Sequence, residues 1–127
     1  MAQPALKLTE YGERLRNKAI PLSELEIRRM LVELERATKT LSGPDLAKTY
    51  SLMGMAQDRL GRLDRALSEL RKAARLHPDL ANKFNLGKVL LALDHVEEAV
   101  DVLAEVVELD GRDLFGLSSF AATPGRE

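Results

Sequence analysis

The chain has 127 residues, of which 45% are hydrophobic and 31% are charged, fractions that are ordinary for one globular domain. Its 19 basic and 20 acidic residues give a formal net charge of −1, which offers no overall attraction to nucleic acid or to anionic lipid. The absence of cysteine excludes disulfides and thiolate metal sites, and no apolar run approaches the ~18 residues of a membrane span.

The N-terminal region begins with a predicted helix at about residues 5–19. Leu8, Tyr11, Leu15 and Ala19 share helical spacing there, although Gly12 weakens the helix. The first twenty residues lack the continuous apolar core of a secretory signal, so we expect a cytoplasmic protein.

A second helix is predicted at about residues 24–41. Ser23 and Glu26 have the spacing of a capping box, and we interpret Gly43 and Pro44 as the end of this helix. Its apolar stripe consists of Ile27, Met30, Leu31, Leu34, Ala37 and Leu41. Whether the two N-terminal helices form a divergent repeat stays open, because Pro21 stands where the repeat described next would require glycine.

Residues 46–111 contain a pattern that recurs after 33 residues. The turn residues correspond, since Gly61 falls on Asp94 and Pro78 falls on Gly111. The apolar positions correspond as Met53 with Leu86, Leu60 with Leu93, Leu63 with Val96, Leu67 with Val100, and Leu70 with Leu103. The spacing predicts helices at about 46–60, 63–76, 79–93 and 96–109, which form antiparallel hairpins at 46–78 and 79–111.

Two glycines occupy equivalent positions inside these predicted helices, where glycine costs roughly 1 kcal/mol relative to alanine. We expect Gly54 to face Ala66 and Gly87 to face Ala99, so that the helix axes approach to the short end of the usual range of about 8–10 Å. Denser packing around the small residues would offset the cost in helix propensity.

The first hairpin resembles the tetratricopeptide repeat family through Met53-Gly54, Ala66, Leu70, Ala73 and Pro78. The second hairpin keeps Leu86-Gly87, Ala99 and Leu103, but it departs from the family pattern at Val106 and Gly111, and Gln57 and Leu90 replace the usual tyrosine. The resemblance implies an all-α fold, a right-handed α-solenoid of antiparallel helical hairpins. It also implies a module for protein–protein interaction.

In this family the first helix of each hairpin lines a concave surface that binds a partner. The resemblance places on that surface Lys48, Ser51, Met55, Asp58 and Arg59, followed by Ala81, Phe84, Asn85, Lys88, Leu91 and Ala92. Ser51 and Met55 stand where chaperone-binding members carry polar clamp residues, so we do not expect a chaperone tail as the partner. Phe84 contacts either a partner or the chain's own N-terminal helix.

The residues after the second hairpin include Leu114, Phe115, Leu117 and Phe120. They form either a short helix that covers the last repeat or a surface for another chain. We expect one helical domain over residues 1–122 and a disordered tail at 123–127.

No motif for catalysis, a metal or a cofactor is present in the sequence. His77 and His95 lie apart at helix junctions, and the many carboxylates recur at the spacing of a solvated helix face. We therefore expect a cytoplasmic adaptor without enzymatic activity, which binds a protein or peptide and neither nucleic acid nor membrane.

Charge is distributed unevenly between the two hairpins. From Ala47 to His77 there are seven basic and three acidic residues, whereas from Asp79 to Asp113 there are nine acidic and three basic residues. These charges form either two solvated faces or complementary docking surfaces. The alternative to the adaptor is consequently a homo-oligomeric scaffold that self-associates through its repeat ends.

Overall fold

The computed structural model describes residues 4–110, and within that range all regular structure is helical. The helices are α1 (Pro4–Arg16), α2 (Glu24–Ala37), α3 (Gly43–Arg59), α4 (Leu63–Leu76), α5 (Leu80–Ala92) and α6 (Val96–Leu109). The all-α prediction is confirmed. The helix and the disordered tail predicted after residue 111 lie outside the described residues.

The predicted hairpins are the pairs α3–α4 and α5–α6, and α5 also packs against α3 and α4. The fold is therefore a stack of helical hairpins, an α-solenoid. No helix between residues 4 and 110 is long and apolar enough to cross a membrane.

The two hairpins turn in the same way. Gly61 and Asp94 both have left-handed backbone conformations, with φ of 76° and 63°. The backbone N–H groups of Arg62 and His95 each donate to a carbonyl five residues earlier, at 2.9 and 2.8 Å, as in a Schellman motif. Asp94 thus adopts a conformation that glycine adopts at lower cost, which explains why the sequence register aligned it with Gly61.

Both repeat glycines lie buried between the helices of their hairpins. A Cβ atom at position 54 would lie 2.6 Å from Leu70 Cγ and 3.3 Å from the Ala66 carbonyl oxygen. A Cβ at position 87 would lie 2.7 Å from Leu103 Cγ. The predicted close packing is confirmed, and Gly54 faces Ala66 as expected, but the atoms nearest to each glycine position belong to a leucine side chain.

The capping box of α2 is confirmed, since Ser23 Oγ accepts from the Glu26 N–H at 3.1 Å and the Glu26 carboxylate accepts from the Ser23 N–H. The predicted end of α2 was wrong. The helix stops at Ala37, and Gly43 and Pro44 form the first turn of α3. Proline is favoured in the first turn because its missing N–H would have no helical partner there.

The N-terminal helices are arranged differently from the two hairpins. The backbone of α1 packs against α3 and not closely against α2. Polar side chains connect α1 to α2: Arg14 Nη2 lies 2.7 Å from Glu26 Oε2, Lys7 Nζ lies 3.5 Å from Glu33 Oε2, and the Tyr11 hydroxyl donates to Glu33. Beneath them lies an apolar cluster formed by Leu8, Leu15, Ile27, Met30, Leu34, Leu52, Met53 and Ala56.

A second apolar cluster lies between α4, α5 and α6 and contains Ala66, Leu70, Leu86, Val89, Leu90 and Ala99. Asn82 on α5 links the two hairpins beside this cluster. The Asn82 Nδ2 donates to the carbonyl of His77, at the end of α4, at 2.8 Å. Asp79 caps the start of α5 by accepting from the Asn82 N–H at 2.9 Å. These contacts fix where α5 begins relative to α4.

Candidate functional site

A shallow pocket lies where α3 and α5 run side by side. Its volume is about 150 Å³. Its lining, which we call the α3–α5 groove, consists of Lys18, Gly54, Met55, Asp58, Leu70, Asn85, Lys88, Val89 and Ala92. Met55, Asp58, Asn85, Lys88 and Ala92 are residues that the sequence placed on the binding surface.

A hydrogen bond between side chains links the two helices that form the walls of the groove. Asn85 Nδ2 on α5 donates to Ser51 Oγ on α3 at 3.3 Å. Ser51 is buried and Asn85 is half-buried, so this hydrogen bond orients the Asn85 amide. Ser51 does not line the groove, and Asn85 is the member of the pair that does.

Charged side chains stand at the edges of the groove. Lys18, in the loop after α1, lies 3.7 Å from Asp58 Oδ2, and its side chain is largely exposed. On the opposite wall, Lys88 is exposed and its Nζ lies 5.4 Å from the centroid of the Phe84 ring. Two ammonium groups and one carboxylate thus surround an apolar floor.

Arg59 was expected on the binding surface, but its guanidinium group is occupied within the chain. Nη2 donates to the carbonyls of Asn17 at 2.8 Å and Arg14 at 2.9 Å, and Nη1 donates to the carbonyl of Ile20 at 3.1 Å. The last carbonyls of a helix lack helical partners, and here an arginine on α3 satisfies them. Arg59 consequently holds the end of α1 against α3.

The other predicted residues lie on the solvent side of the same two helices. Leu91 and Ala81 are exposed on α5, and Leu91 retains 42% of its accessible surface. Phe84 on α5 and Lys48 on α3 are half-buried. These four residues do not line the pocket.

Lys18, Gly54, Leu70 and Val89 line the groove but were not predicted to do so. Lys18 follows the end of α1, and nothing in its local sequence indicates that its loop reaches α3. The sequence pattern assigned Gly54 to packing between the helices of the first hairpin and Leu70 to the repeated apolar positions. Gly54 and Leu70 contact each other next to the groove, so both residues also line it.

The perturbed carboxylates of the described residues lie outside the groove. Burial raises the pKa of Glu69 on α4, the charge of Glu35 raises it further, and Lys72 opposes this shift. The hydrogen bond from Arg71 lowers the pKa of Glu98, and the reciprocal bond raises the pKa of Arg71. Glu69 and Arg71 lie on α4 and Glu98 lies on α6, and none of the three lines the groove.

Residues 4–110 contain no group of three His, Asp or Glu side chains placed to hold a metal ion. His77 Nε2 lies 3.4 Å from Asp79 Oδ2 in a solvent-accessible pair at the start of α5. The arrangement of the groove is suited to binding through an apolar floor and charged edges.

A family model described as tetratricopeptide repeat matches residues 47–80 and residues 81–113, which together form more than half of the chain. The two matches coincide with the α3–α4 and α5–α6 hairpins. Neither the curated proteins nor the solved structures contain a significant match to the chain.

Proposed function

The chain belongs to the tetratricopeptide repeat family, and we propose that it is an adaptor that binds a peptide segment or helix of another protein in the α3–α5 groove. Repeats of this family generally mediate protein–protein interaction, and proteins built from them are typically non-catalytic. The observation that supports this site is the joining of Met55, Asn85 and Lys88 into one groove by the stacking of α3 on α5.

The size of the groove favours a macromolecular partner. Small-molecule sites usually enclose about 300–1,000 Å³, which is larger than the about 150 Å³ found here. A pocket of this size accommodates one apolar side chain of a peptide, with Met55, Val89 and Ala92 around it. The remainder of the peptide would lie along the exposed sides of α3 and α5.

The charges at the edges favour a partner that carries a carboxylate next to its apolar anchor. Lys88 is exposed and has a ring beneath it, whereas Asp58 is already paired with Lys18. An acidic residue of the partner can approach Lys88 at little desolvation cost, since neither group needs to be buried completely. A basic residue at the same place would be repelled.

A double variant in the groove and a charge-reversal control outside it test the site. We expect the full-length double variant Phe84→Ala/Lys88→Glu to lose the proteins that the wild-type chain captures from its source cells, with little change in its midpoint of thermal unfolding. The control is Arg29→Glu, which reverses an exposed charge on α2, and it should retain them. Equal loss in both variants, or retention in both, would show that partners bind elsewhere.

Self-association is a second candidate function, and the charge pattern supports it. Arg65, Lys72 and Arg75 on α4 correspond, 33 residues later, to Glu98, Glu105 and Glu108 on α6. Glu98 and Glu105 already pair with Arg71 and Lys83 within the chain, so Glu108 offers the clearest contact for a second copy.

Light scattering across a range of salt concentrations tests this candidate. A homo-oligomer formed through α4 and α6 should dissociate as salt increases. Arg75→Glu and Glu108→Arg should each disrupt it, and the double variant should restore it. A chain that is monomeric at every salt concentration would eliminate this candidate and leave the adaptor proposal intact.

A further inference from the structure

A cavity of about 370 Å³ lies between α1 and α2, outside the two repeats. We call it the α1–α2 cavity. Its lining combines apolar with charged side chains and includes Leu8, Leu34, Ala37, Lys7, Glu33 and Arg36. Leu8 and Leu34 are buried in the apolar cluster shared by α1, α2 and α3, so the core of the protein holds this part of the wall in place.

The cavity exists because α1 packs against α3 and not closely against α2. Gly12 lies on the side of α1 that meets α3, where an added Cβ would lie 3.5 Å from Leu52 Cδ2. Polar side chains bridge α1 and α2 instead, from Lys7 and Tyr11 to Glu33 and from Arg14 to Glu26. The helix backbones therefore stay apart, and the space between them is not filled by the side chains that line it.

The size of the α1–α2 cavity distinguishes it from the α3–α5 groove. Pockets for small molecules usually enclose about 300–1,000 Å³, and they combine an apolar lining with a few polar groups. The α1–α2 cavity lies within this range, whereas the α3–α5 groove, at about 150 Å³, lies below it. The cavity is consequently large enough for a small ligand.

The charges around the cavity favour an anionic ligand. The Glu33 carboxylate is already engaged, since the Tyr11 hydroxyl donates to it and Lys7 Nζ lies 3.5 Å away. The exposed Arg36 guanidinium group, by contrast, forms no hydrogen bond or ion pair with any other residue between 4 and 110. A ligand cation would find no available carboxylate, whereas a ligand anion would find a guanidinium group whose donors are all available.

We propose that the α1–α2 cavity binds a small amphipathic carboxylate. The aromatic or aliphatic body of the ligand packs against Leu8, Leu34 and Ala37, and its carboxylate accepts two hydrogen bonds from Arg36. Guanidinium and carboxylate groups match each other in this planar, bidentate arrangement, and a single available arginine suits a single negative charge. The proposal does not depend on the α3–α5 groove, which consists of other residues.

Nuclear magnetic resonance titrations of the isotopically labelled full-length chain test the proposal with three probes. Phenylbutyrate has both the apolar body and the carboxylate, phenylbutanol has only the body, and acetate has only the carboxylate. Phenylbutyrate should shift the amide signals of Leu8, Leu34 and Ala37 saturably, with a dissociation constant of about 1 mM or lower. Phenylbutanol and acetate should each bind about fivefold more weakly or less, because each lacks one of the two contacts.

A variant of Arg36 tests the charged contact. Arg36→Gln should weaken phenylbutyrate binding by about fivefold or more and leave phenylbutanol binding unchanged. Arg36 is exposed, so this substitution should not affect folding. Arg29→Gln is the matched control, because Arg29 is an exposed arginine on the same helix that does not line the cavity, and it should bind phenylbutyrate as the wild type does.

A variant of Ala37 tests the apolar contact. Ala37→Leu adds a larger side chain to the lining and should weaken the binding of phenylbutyrate and phenylbutanol alike. Ala81→Leu makes the same change at an exposed position on α5, away from the cavity, and should alter neither. Thermal unfolding followed by circular dichroism shows that the variants are folded at the temperature of the titrations.

The titrations give opposite results for a ligand site and for nonspecific adsorption. Saturable shifts at the cavity that require both parts of phenylbutyrate and the Arg36 side chain support the proposal. Absence of saturable shifts, equal binding of phenylbutyrate and phenylbutanol, or wild-type binding by Arg36→Gln would each overturn it. Shifts centred on the exposed Leu25 and Val32 of α2 would also overturn it, since they would indicate adsorption to an apolar surface.

Discussion

The contact between Gly54 and Leu70 permits a quantitative test of how the first hairpin is held together. Leu70 is 1% exposed, and replacing it with alanine should cost about 2–5 kcal/mol through lost burial and the cavity left behind. Gly54→Ala gains roughly 1 kcal/mol of helix propensity. The new methyl group would lie 2.6 Å from Leu70 Cγ, and overpacking of this kind costs about 1–3 kcal/mol. The single glycine variant should therefore be neutral to destabilising.

The double variant should be more stable than Leu70→Ala alone. With the leucine removed, the nearest neighbour of the alanine methyl at position 54 is the Ala66 carbonyl oxygen at 3.3 Å, so the methyl fills part of the cavity and retains its propensity gain of roughly 1 kcal/mol. We expect a coupling energy of about 1–3 kcal/mol between the two substitutions. Urea unfolding followed by far-ultraviolet circular dichroism measures it, since the chain is helical and contains no tryptophan.

The second hairpin supplies the matched control. Gly87 and Leu103 make the same contact, so their pair should show coupling of similar size. The crossed pair of Gly54→Ala with Leu103→Ala combines identical substitutions that do not share a contact, and its energies should add within about 0.5 kcal/mol. If the Gly54 and Leu70 substitutions were also additive, the leucine would not be what makes position 54 intolerant of a side chain.

Three further predictions follow from single side chains. Asp94 and Gly61 both have positive φ, a conformation that glycine adopts at lower cost than other residues. Asp94→Gly should therefore stabilise the protein by about 0.5–1 kcal/mol, and Gly61→Ala should destabilise it by about 1 kcal/mol. Urea unfolding measures both changes. Arg59→Ala should reduce the free energy of unfolding by about 1.5–3 kcal/mol and increase amide exchange throughout α1. If exchange in α1 were the same as in the wild type, the hydrogen bonds of Arg59 would not be what holds this helix in place. Burial raises the pKa of the Glu69 carboxyl in the folded state. The contribution of this carboxyl to the free energy of unfolding is therefore most favourable at low pH, and it is lost as the pH rises through the folded-state pKa. Glu69→Gln should therefore stabilise the protein at pH 7, and the difference between the two unfolding curves should diminish on acidification.

Repeat spacing predicted the two hairpins well, because their turns carry unambiguous signals. The predicted spans 63–76 and 96–109 coincide with α4 and α6. The boundary between α2 and α3 was harder to predict, since glycine followed by proline can end one helix or begin the next. The structure shows the second arrangement, in which Pro44 occupies the first turn of α3.

Contacts between distant segments limited the prediction of the site. The family resemblance indicated which positions of α3 and α5 lie on a shared surface, and Met55, Asn85 and Lys88 line one groove in the structure. Arg59 occupies a position of the same kind, but its hydrogen-bond acceptors lie 39–45 residues earlier in the chain. Neither periodicity nor a family pattern for residues 46–111 contains information about where α1 and its following loop lie.

Comparing equivalent positions of the two hairpins distinguishes residues that build the fold from residues that differ between surfaces. Three positions where the helices of each hairpin pack closely carry the same residue in both copies: Gly54 and Gly87, Ala66 and Ala99, and Leu70 and Leu103. Positions on the proposed binding surface differ, as Met55 with Lys88 and Asp58 with Leu91. Backbone packing restricts the first set, because a 2.6 Å approach leaves no room for a larger side chain at position 54. No such restriction applies to side chains that face solvent, so they can differ according to what each part of the surface contacts. Partner specificity should therefore depend on the second set, and substitutions there should change binding with little effect on stability.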